Sequence, residues 1–249
     1  MIRRFYVDAP LPLDGEVAIE GDLAHRLTNV LRLRAGDQVA LFDGSGDDVR
    51  VRIERMHQKG LVAAVMERGA GPAEPRVNVH LYQSITKGER FEWLLEKGTE
   101  IGVSNFVPLI TARAVVKTGG AGNRMDRWRR IVIEAAEQCG RSRVPSVSAP
   151  VPFSEALASA PGLLLLPYEA AGDAAPNIQS ALDRDIDALF ALGEVSIFIG
   201  PEGGYDPGEV EDAAAAGAII VTMGERVLRS ETAGMVAAAL VLHAAGELG

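Results

Sequence analysis

From Val49 to Arg55 apolar and polar residues alternate, with Val49, Val51 and Ile53 on one side and Arg50, Arg52 and Arg55 presented on the other. A period of two marks a strand with one face turned to a core. Gln38–Phe42 and Leu61–Glu67 read as its neighbours, joined to it by Asp43-Gly44-Ser45-Gly46 and Gln58-Lys59-Gly60. Both connections are rich in turn formers. Ahead of them, Leu23, Leu27, Val30 and Leu31 recur at helical spacing. Residues 1–70 therefore predict a small β-barrel with an appended helix.

Gly69-Ala70-Gly71-Pro72-Ala73-Glu74-Pro75 opposes both helix and strand and predicts a linker. Beyond it the pattern becomes strand, helix, strand. Val77–Gln83 and Phe106–Ile110 read as strands, and Phe91, Leu94, Leu95 and Ile101 form a helical stripe between them. Trp128, Ile131, Val132, Ala135, Ala136 and Cys139 keep helical spacing over three turns, and Gly140 follows as a C-cap. Leu163–Leu166, Val195–Ile199 and Ile219–Thr222 are continuous apolar runs, as in strands covered on both faces. Helical patterns at Pro207–Ala216 and Glu231–Ala244 complete the alternation. It predicts an α/β domain over residues 76–249 with a mainly parallel sheet.

Composition narrows the classes. Hydrophobic residues are 47% and charged residues 24% of the 249 positions, which excludes a disordered chain. No apolar run reaches the ~18–20 residues that span a bilayer, and the opening MIRRFYVDAP lacks the apolar core of a signal peptide. The expectation is a soluble, cytoplasmic protein. A single cysteine, Cys139, excludes an internal disulfide, and four scattered histidines argue against a zinc site. The net charge of −9 argues at first sight against a nucleic-acid partner, but the charge is uneven. Residues 1–70 carry net −1, residues 71–150 net +4 and residues 151–249 net −12, so a basic face on an acidic protein is possible.

Three predicted strand ends carry candidate chemistry, because ligands of open α/β sheets bind beyond the carboxyl ends of the strands. At Gly200-Pro201-Glu202-Gly203-Gly204-Tyr205-Asp206-Pro207 the chain makes a glycine-rich turn and enters a helix through Asp206 as N-cap, Pro207 at the first position and Glu209 as capping-box partner. The loop is either a ligand cradle or simply a tight turn. It has neither the Gly-Lys-Ser/Thr of a nucleoside-triphosphate loop nor GxGxxG. Thr222–Ala233 carries two of the three basic residues of the last hundred positions, Arg226 and Arg229, and Ser230 as a candidate helix cap. Leu166-Pro167-Tyr168-Glu169 is the third end.

Gly200-Pro201-Glu202-Gly203-Gly204 followed by Met223-Gly224-Glu225-Arg226-Val227-Leu228-Arg229-Ser230-Glu231-Thr232-Ala233 resembles the signature of the knotted SPOUT RNA methyltransferases, and most closely the RsmE family. Arg3–Val7, His25–Arg32, Lys87-Gly88-Glu89-Arg90, Lys97-Gly98-Thr99-Glu100-Ile101-Gly102 and Glu137-Gln138-Cys139-Gly140-Arg141 extend the resemblance along nearly the whole chain. Tyr205 and Cys139 are small departures from it. The resemblance implies a PUA-like N-terminal RNA-binding domain, a SPOUT domain with a trefoil knot, a homodimer, and S-adenosylmethionine as methyl donor with no metal. It implies methylation at N3 of a uridine in small-subunit (16S) ribosomal RNA. It carries over Leu166, Gly200, Glu202, Gly203, Met223, Gly224 and Leu228 as cofactor contacts.

Uridine N3 bears a weakly acidic proton, so transfer needs that proton removed, as by a carboxylate, or the developing anion stabilised, as by a guanidinium. The candidate cations are Arg141, which can equally be a helix-end charge offsetting the dipole, and Arg229; the candidate carboxylates are Glu100 and Glu202, and Glu202 can instead order its own loop. Candidate phosphate contacts are Arg26, Arg32 and Arg34 near the first helix, Arg50, Arg52 and Arg55 on the strand, and Arg124, Arg127, Arg129 and Arg130 around the third helix. Aromatic residues at 5% argue against a base-stacking platform and favour recognition of a folded RNA by shape and phosphates. The almost uncharged final helix is either buried in its own domain or packed on a second subunit. Two other readings stand beside the methyltransferase: a non-catalytic RNA-binding module, and a Rossmann-type enzyme acting on a small metabolite.

Overall fold

The computed structural model describes residues 2–72, 74–114, 121–172 and 174–249. Of the predicted linker, Ala73 lies outside the described residues. The chain forms two compact units, Met1–Glu74 with Ala136–Val144, and Pro75–Ala135 with Pro145–Gly249.

The first unit is a curled five-stranded sheet. Its strands are β1 (Arg4–Tyr6), β2 (Glu16–Glu20), β3 (Gln38–Phe42), β4 (Asp47–His57) and β5 (Gly60–Ala70), in the order β1-β3-β4-β5-β2. Only β1 and β3 are parallel. Helix α1 (Gly21–His25) runs directly into a π-helical turn, Arg26–Val30. Val49, Val51 and Ile53 bury fully against Leu27, Leu41 and Leu61, as the alternation requires. Strict alternation would also carry Arg55 to that face. A register shift between Ile53 and Arg55 turns it outward instead, where it pairs with Glu16 at 2.8 Å. These shifts, with the length of β4 and β5, curl the sheet into a half-barrel.

The segment Ala136–Val144 belongs to this unit because its polar groups are satisfied there. Glu137 accepts from the Tyr6 backbone N–H at 3.0 Å and from Arg26 at 2.7 Å. Ser142 donates to Asp48 at 2.8 Å and accepts from Arg4 at 2.8 Å, while Arg4 also pairs with Asp48. A Cβ on Gly71 would lie 1.8 Å from Ser142 Oγ, so this approach demands glycine in the predicted linker.

The second unit is a parallel sheet with helices. In chain order it comprises β6 (Asn78–Ser84), α2 (Arg90–Ile101), β7 (Asn105–Ile110), α3 (Ala121–Cys139), β8 (Ser146–Val147), β9 (Val151–Pro152), α4 (Phe153–Ser159), β10 (Leu163–Pro167), α5 (Ile178–Leu192), β11 (Glu194–Ile199), α6 (Pro207–Ala215), β12 (Ile219–Val221) and α7 (Ser230–Ala244). The spatial order is β12-β10-β11-β6-β7-β8, with β9 also on β7, and every pairing is parallel. The apolar runs are the central strands, and Leu165, Val195, Ile197 and Phe198 are fully buried. After β12, at one edge, the chain returns as α7 to pack on α2, α5, β6 and β11. Among the described residues no helix is long and apolar enough to cross a membrane, and no group of three or more His, Cys, Asp or Glu is placed to hold a metal.

Helix α2 shows how close the layers lie. Phe91, Leu94 and Leu95 form its buried stripe, and it ends on Gly102 in the left-handed conformation (φ 114°). A Cβ at Gly98 would come within 2.7 Å of the buried Phe106 ring on β7. Alanine in a helix interior normally gains about 1 kcal/mol over glycine. Gly98→Ala is expected instead to destabilise by about 1–3 kcal/mol, because the overpacked ring has nowhere to move. Urea denaturation checks this, and a stabilised variant would refute the packing.

Candidate functional site: three strand ends joined at Ser230

Strands β12, β10 and β11 are parallel neighbours, so their carboxyl ends open on the same side. The segments leaving them are 168–169, 200–206 and 222–229. They enclose a cleft of about 290 Å³, lined by Pro167–Glu169, Ile199–Glu202, Gly204, Thr222–Ser230 and Ala233.

Two glycines let the 200–206 loop pack closely. A Cβ on Gly200 would press within 3.1 Å of the Tyr205 ring. Gly204 adopts φ 68°, and a Cβ there would meet the Glu169 carboxylate at 2.2 Å. The Gly204 N–H closes the turn on the Pro201 carbonyl at 3.0 Å. Tyr205 is buried against Phe153 with ring centroids 5.3 Å apart. Burial pushes its phenol well above the ordinary value, and the charges of Glu209 and Glu169 add to this. The loop then enters α6 through the predicted capping box. The Gly208 N–H donates to Asp206 at 3.1 Å, the Asp206 N–H donates to Glu209 at 2.9 Å, and Pro207 occupies the first turn.

Ser230 is not the predicted helix cap. Arg229 occupies the N-cap position, and no side chain caps α7. The Ser230 hydroxyl donates to the Gly200 carbonyl at 2.5 Å and accepts from Gln83 Nε2 at 2.8 Å. One buried hydroxyl thus joins the end of β6, the glycine-rich loop and the start of α7. Gly234, one turn along α7, admits the Gln83 carbonyl, which would lie 2.3 Å from a Cβ. Sequence periodicity missed Gln83. The available signal was an amide near the carboxyl end of a strand predicted to lie in the core, where a buried polar group demands partners.

Of the residues singled out from the sequence, Gly200, Glu202, Met223, Gly224, Leu228 and Arg229 line the cleft. Leu166 is fully buried in β10, and the lining begins with its neighbour Pro167. Gly203 does not line it; its carbonyl accepts from Arg113, which also pairs with Asp206 at 3.2 Å. Glu100 lies outside the lining and pairs with Lys97 at 2.8 Å. Hydrogen bonds to Glu100 and Glu96 push the Lys97 amine up to about 12. Arg141 lies in the first unit, where its Nε and Nη2 donate to Glu74 at 2.9 and 2.6 Å.

The predicted phosphate contacts divide into two groups. Arg50 pairs with Glu67 and Arg52 with Glu54, both at 3.0 Å, Arg26 with Glu137 at 2.7 Å and Arg127 with Glu92 at 2.5 Å. Arg32, Arg34 and Arg130 are exposed with no ion-pair partner among the described residues, and so are Arg226 and Arg229 at the cleft. Arg124 lies over the Trp128 ring, 5.9 Å from its centroid.

Removing the Ser230 hydroxyl leaves the part-buried Gly200 carbonyl without its donor and costs Gln83 a buried bond. Ser230→Ala is expected to lower stability by about 1–3 kcal/mol in urea denaturation. A loss below about 0.5 kcal/mol, the range of a neutral surface change, would show that the junction is not the fastening described.

Residues 73–242 match the family model of an RNA methyltransferase domain, and residues 19–66 that of an RNA methyltransferase PUA domain. Ribosomal RNA small subunit methyltransferase E of Mycobacterium tuberculosis is 37% identical over 98% of this chain and 91% of its own length. The enzyme of the same name from Bacillus subtilis is 29% identical over 91% of this chain and 89% of its own. A solved ribosomal RNA small subunit methyltransferase E from Neisseria gonorrhoeae, bound to S-adenosyl methionine, superposes with a TM-score of 0.83 at 31% identity, covering 98% of each chain. A probable rRNA-methyltransferase from Porphyromonas gingivalis gives 0.82 at 29% identity over 98% of this chain and 99% of that one. With an RNA methyltransferase domain matched over residues 73–242 and relatives matched almost end to end, this chain belongs to the ribosomal RNA small subunit methyltransferase E family.

Proposed function

We propose that the protein is an S-adenosylmethionine-dependent methyltransferase that modifies N3 of a uridine in small-subunit ribosomal RNA. The observation that carries this is the cleft at the ends of β10, β11 and β12, whose walls include the glycine-rich loop of a family with a donor-bound member. The residues fit such a donor. Gly200, Gly204 and Gly224 leave backbone groups open to a nucleoside, and the volume lies near the ~300 Å³ lower bound of small-molecule sites. Glu169, Glu202 and Glu225 supply negative charge facing a cationic donor. When bound, the donor supplies an electrophilic methyl group on a sulfonium.

The chain's own residues must then manage the uridine proton. Glu202, which lines the cleft, is the carboxylate proposed to accept it. Arg229 on the same wall, and Arg141 held by Glu74, are the cations proposed to favour the N3 anion. Arg141→Ala is expected to leave donor binding in isothermal titration unchanged while abolishing methyl transfer to small-subunit RNA. Equal loss of donor binding would remove Arg141 from that role. Recovery of 3-methyluridine from the transferred label tests the target atom, and label in any other nucleoside would overturn it.

RNA recognition is assigned first to the unpaired cations. Arg50 and Arg52 each have a carboxylate at 3.0 Å that cancels much of their local field toward a polyanion. Arg32→Ala with Arg34→Ala is expected to weaken RNA binding about tenfold and to flatten its salt dependence, whereas Arg50→Ala with Arg52→Ala has a smaller effect. Filter binding across a salt series checks this, and the reverse ranking would contradict it. The reading extends to a cytoplasmic homodimer and a knotted chain path.

A further inference from the structure

Glu231 is the second residue of α7, nearly buried, and its Oε2 has no hydrogen-bond partner among the described residues. A buried carboxylate oxygen in that state is costly, so it is kept for a reason. The only ion-pair contact of this side chain among the described residues is Arg90, whose Nε lies 3.7 Å from its Oε1. The other end of the same guanidinium, Nη1, donates to Glu202 at 3.1 Å. Glu202 lines the cleft, whereas Glu231 and Arg90 do not. Arg90 closes the Lys87-Gly88-Glu89-Arg90 motif, to which the proposed chemistry gives no role.

We propose that Glu231 and Arg90 are a positioning pair for the donor cleft: Glu231 fixes the Arg90 guanidinium, and Arg90 holds the Glu202 carboxylate at the cleft wall. The proposal rests on the donor-cleft reading above. Alone, the Arg90–Glu202 contact is a half-exposed ion pair, and such pairs hold a side chain poorly. With Nε 3.7 Å from a nearly buried carboxylate, an ion-pair contact without a hydrogen bond, the arginine stem is biased toward the geometry in which Nη1 reaches Glu202. The first turn of α7 then grips the loop twice, through Ser230 on Gly200 and through Glu231 and Arg90 on Glu202.

The alternative is that Arg90 only neutralises a buried charge, and a mutant cycle separates the two. Donor affinity is measured by isothermal titration of S-adenosylmethionine into the full chain and its Glu231→Gln, Arg90→Gln and Glu202→Gln variants, and into the double variant Glu231→Gln/Glu202→Gln. Glu231→Gln, which keeps the side-chain volume, and Arg90→Gln are each expected to weaken donor binding about tenfold. In the Glu202→Gln background, Glu231→Gln is expected to cost nothing further, because the residue through which it acts is gone. A merely structural role would leave that second loss in place. Donor affinity of Glu231→Gln within twofold of the parent, or losses that multiply in the double variant, would overturn the proposal. Should Glu231→Gln fail to fold, the half-exposed Arg90→Gln carries the same comparison against Glu202→Gln. Absence of donor binding by the unmodified chain would instead overturn the donor-cleft reading and the proposal with it.

Discussion

The cleft depends on one hydroxyl. Ser230 Oγ receives a hydrogen from Gln83 and gives one to the carbonyl of Gly200, so three segments far apart in sequence share a single buried polar junction. Parallel strands bring their carboxyl ends to the same side of a sheet, but that alone leaves three independent loops. The junction makes two of them one object. Glycine at 234 lets the Gln83 amide approach α7, and glycine at 200 lets the Tyr205 ring pack beneath the loop. A buried hydroxyl with both bonds made is stabilising and specific in direction, whereas losing either partner exposes the full desolvation cost.

Charge follows a parallel logic. The net −9 gives no guide to function, because charges act through their neighbours. On β4 the outward arginines face Glu67, Glu54 and Glu16, and that surface is close to neutral despite its basic sequence. Arg226 and Arg229 stand in the most acidic third of the chain yet are unpaired at the cleft among the described residues. A basic residue count therefore misplaces the field, and ion-pair geometry corrects it.

The elements were legible wherever one period dominated. Val49–Ile53 alternates because one face is core, and the runs at 163–166 and 195–199 are continuous because both faces are covered. The entry into α6 was legible to the residue, since a capping box is a local interaction. The bulge that turns Arg55 outward left no period to detect, whereas the short edge strand β2 does alternate, with Val17 and Ile19 buried between Glu16, Ala18 and Glu20. The affiliation of 136–144 with the first unit was equally hidden, because Glu137 and Ser142 find their partners more than 90 residues away. At the site, the glycine-rich loop and the 222–233 segment were readable as motifs. Local sequence favours a cap role for Ser230, and only the fold brings Gly200 and Gln83 to it. Glu231 and Arg90 stand within recognisable motifs, but their pairing is visible only in the fold.

Amide hydrogen exchange with and without S-adenosylmethionine tests the central claim, that the strand-end segments joined at Ser230 form the donor site. The account predicts that the donor slows exchange at 199–206 and 222–233, with the strands of the half-barrel unchanged. Protection centred on β3–β5, or donor binding with no change at 199–206, would contradict it.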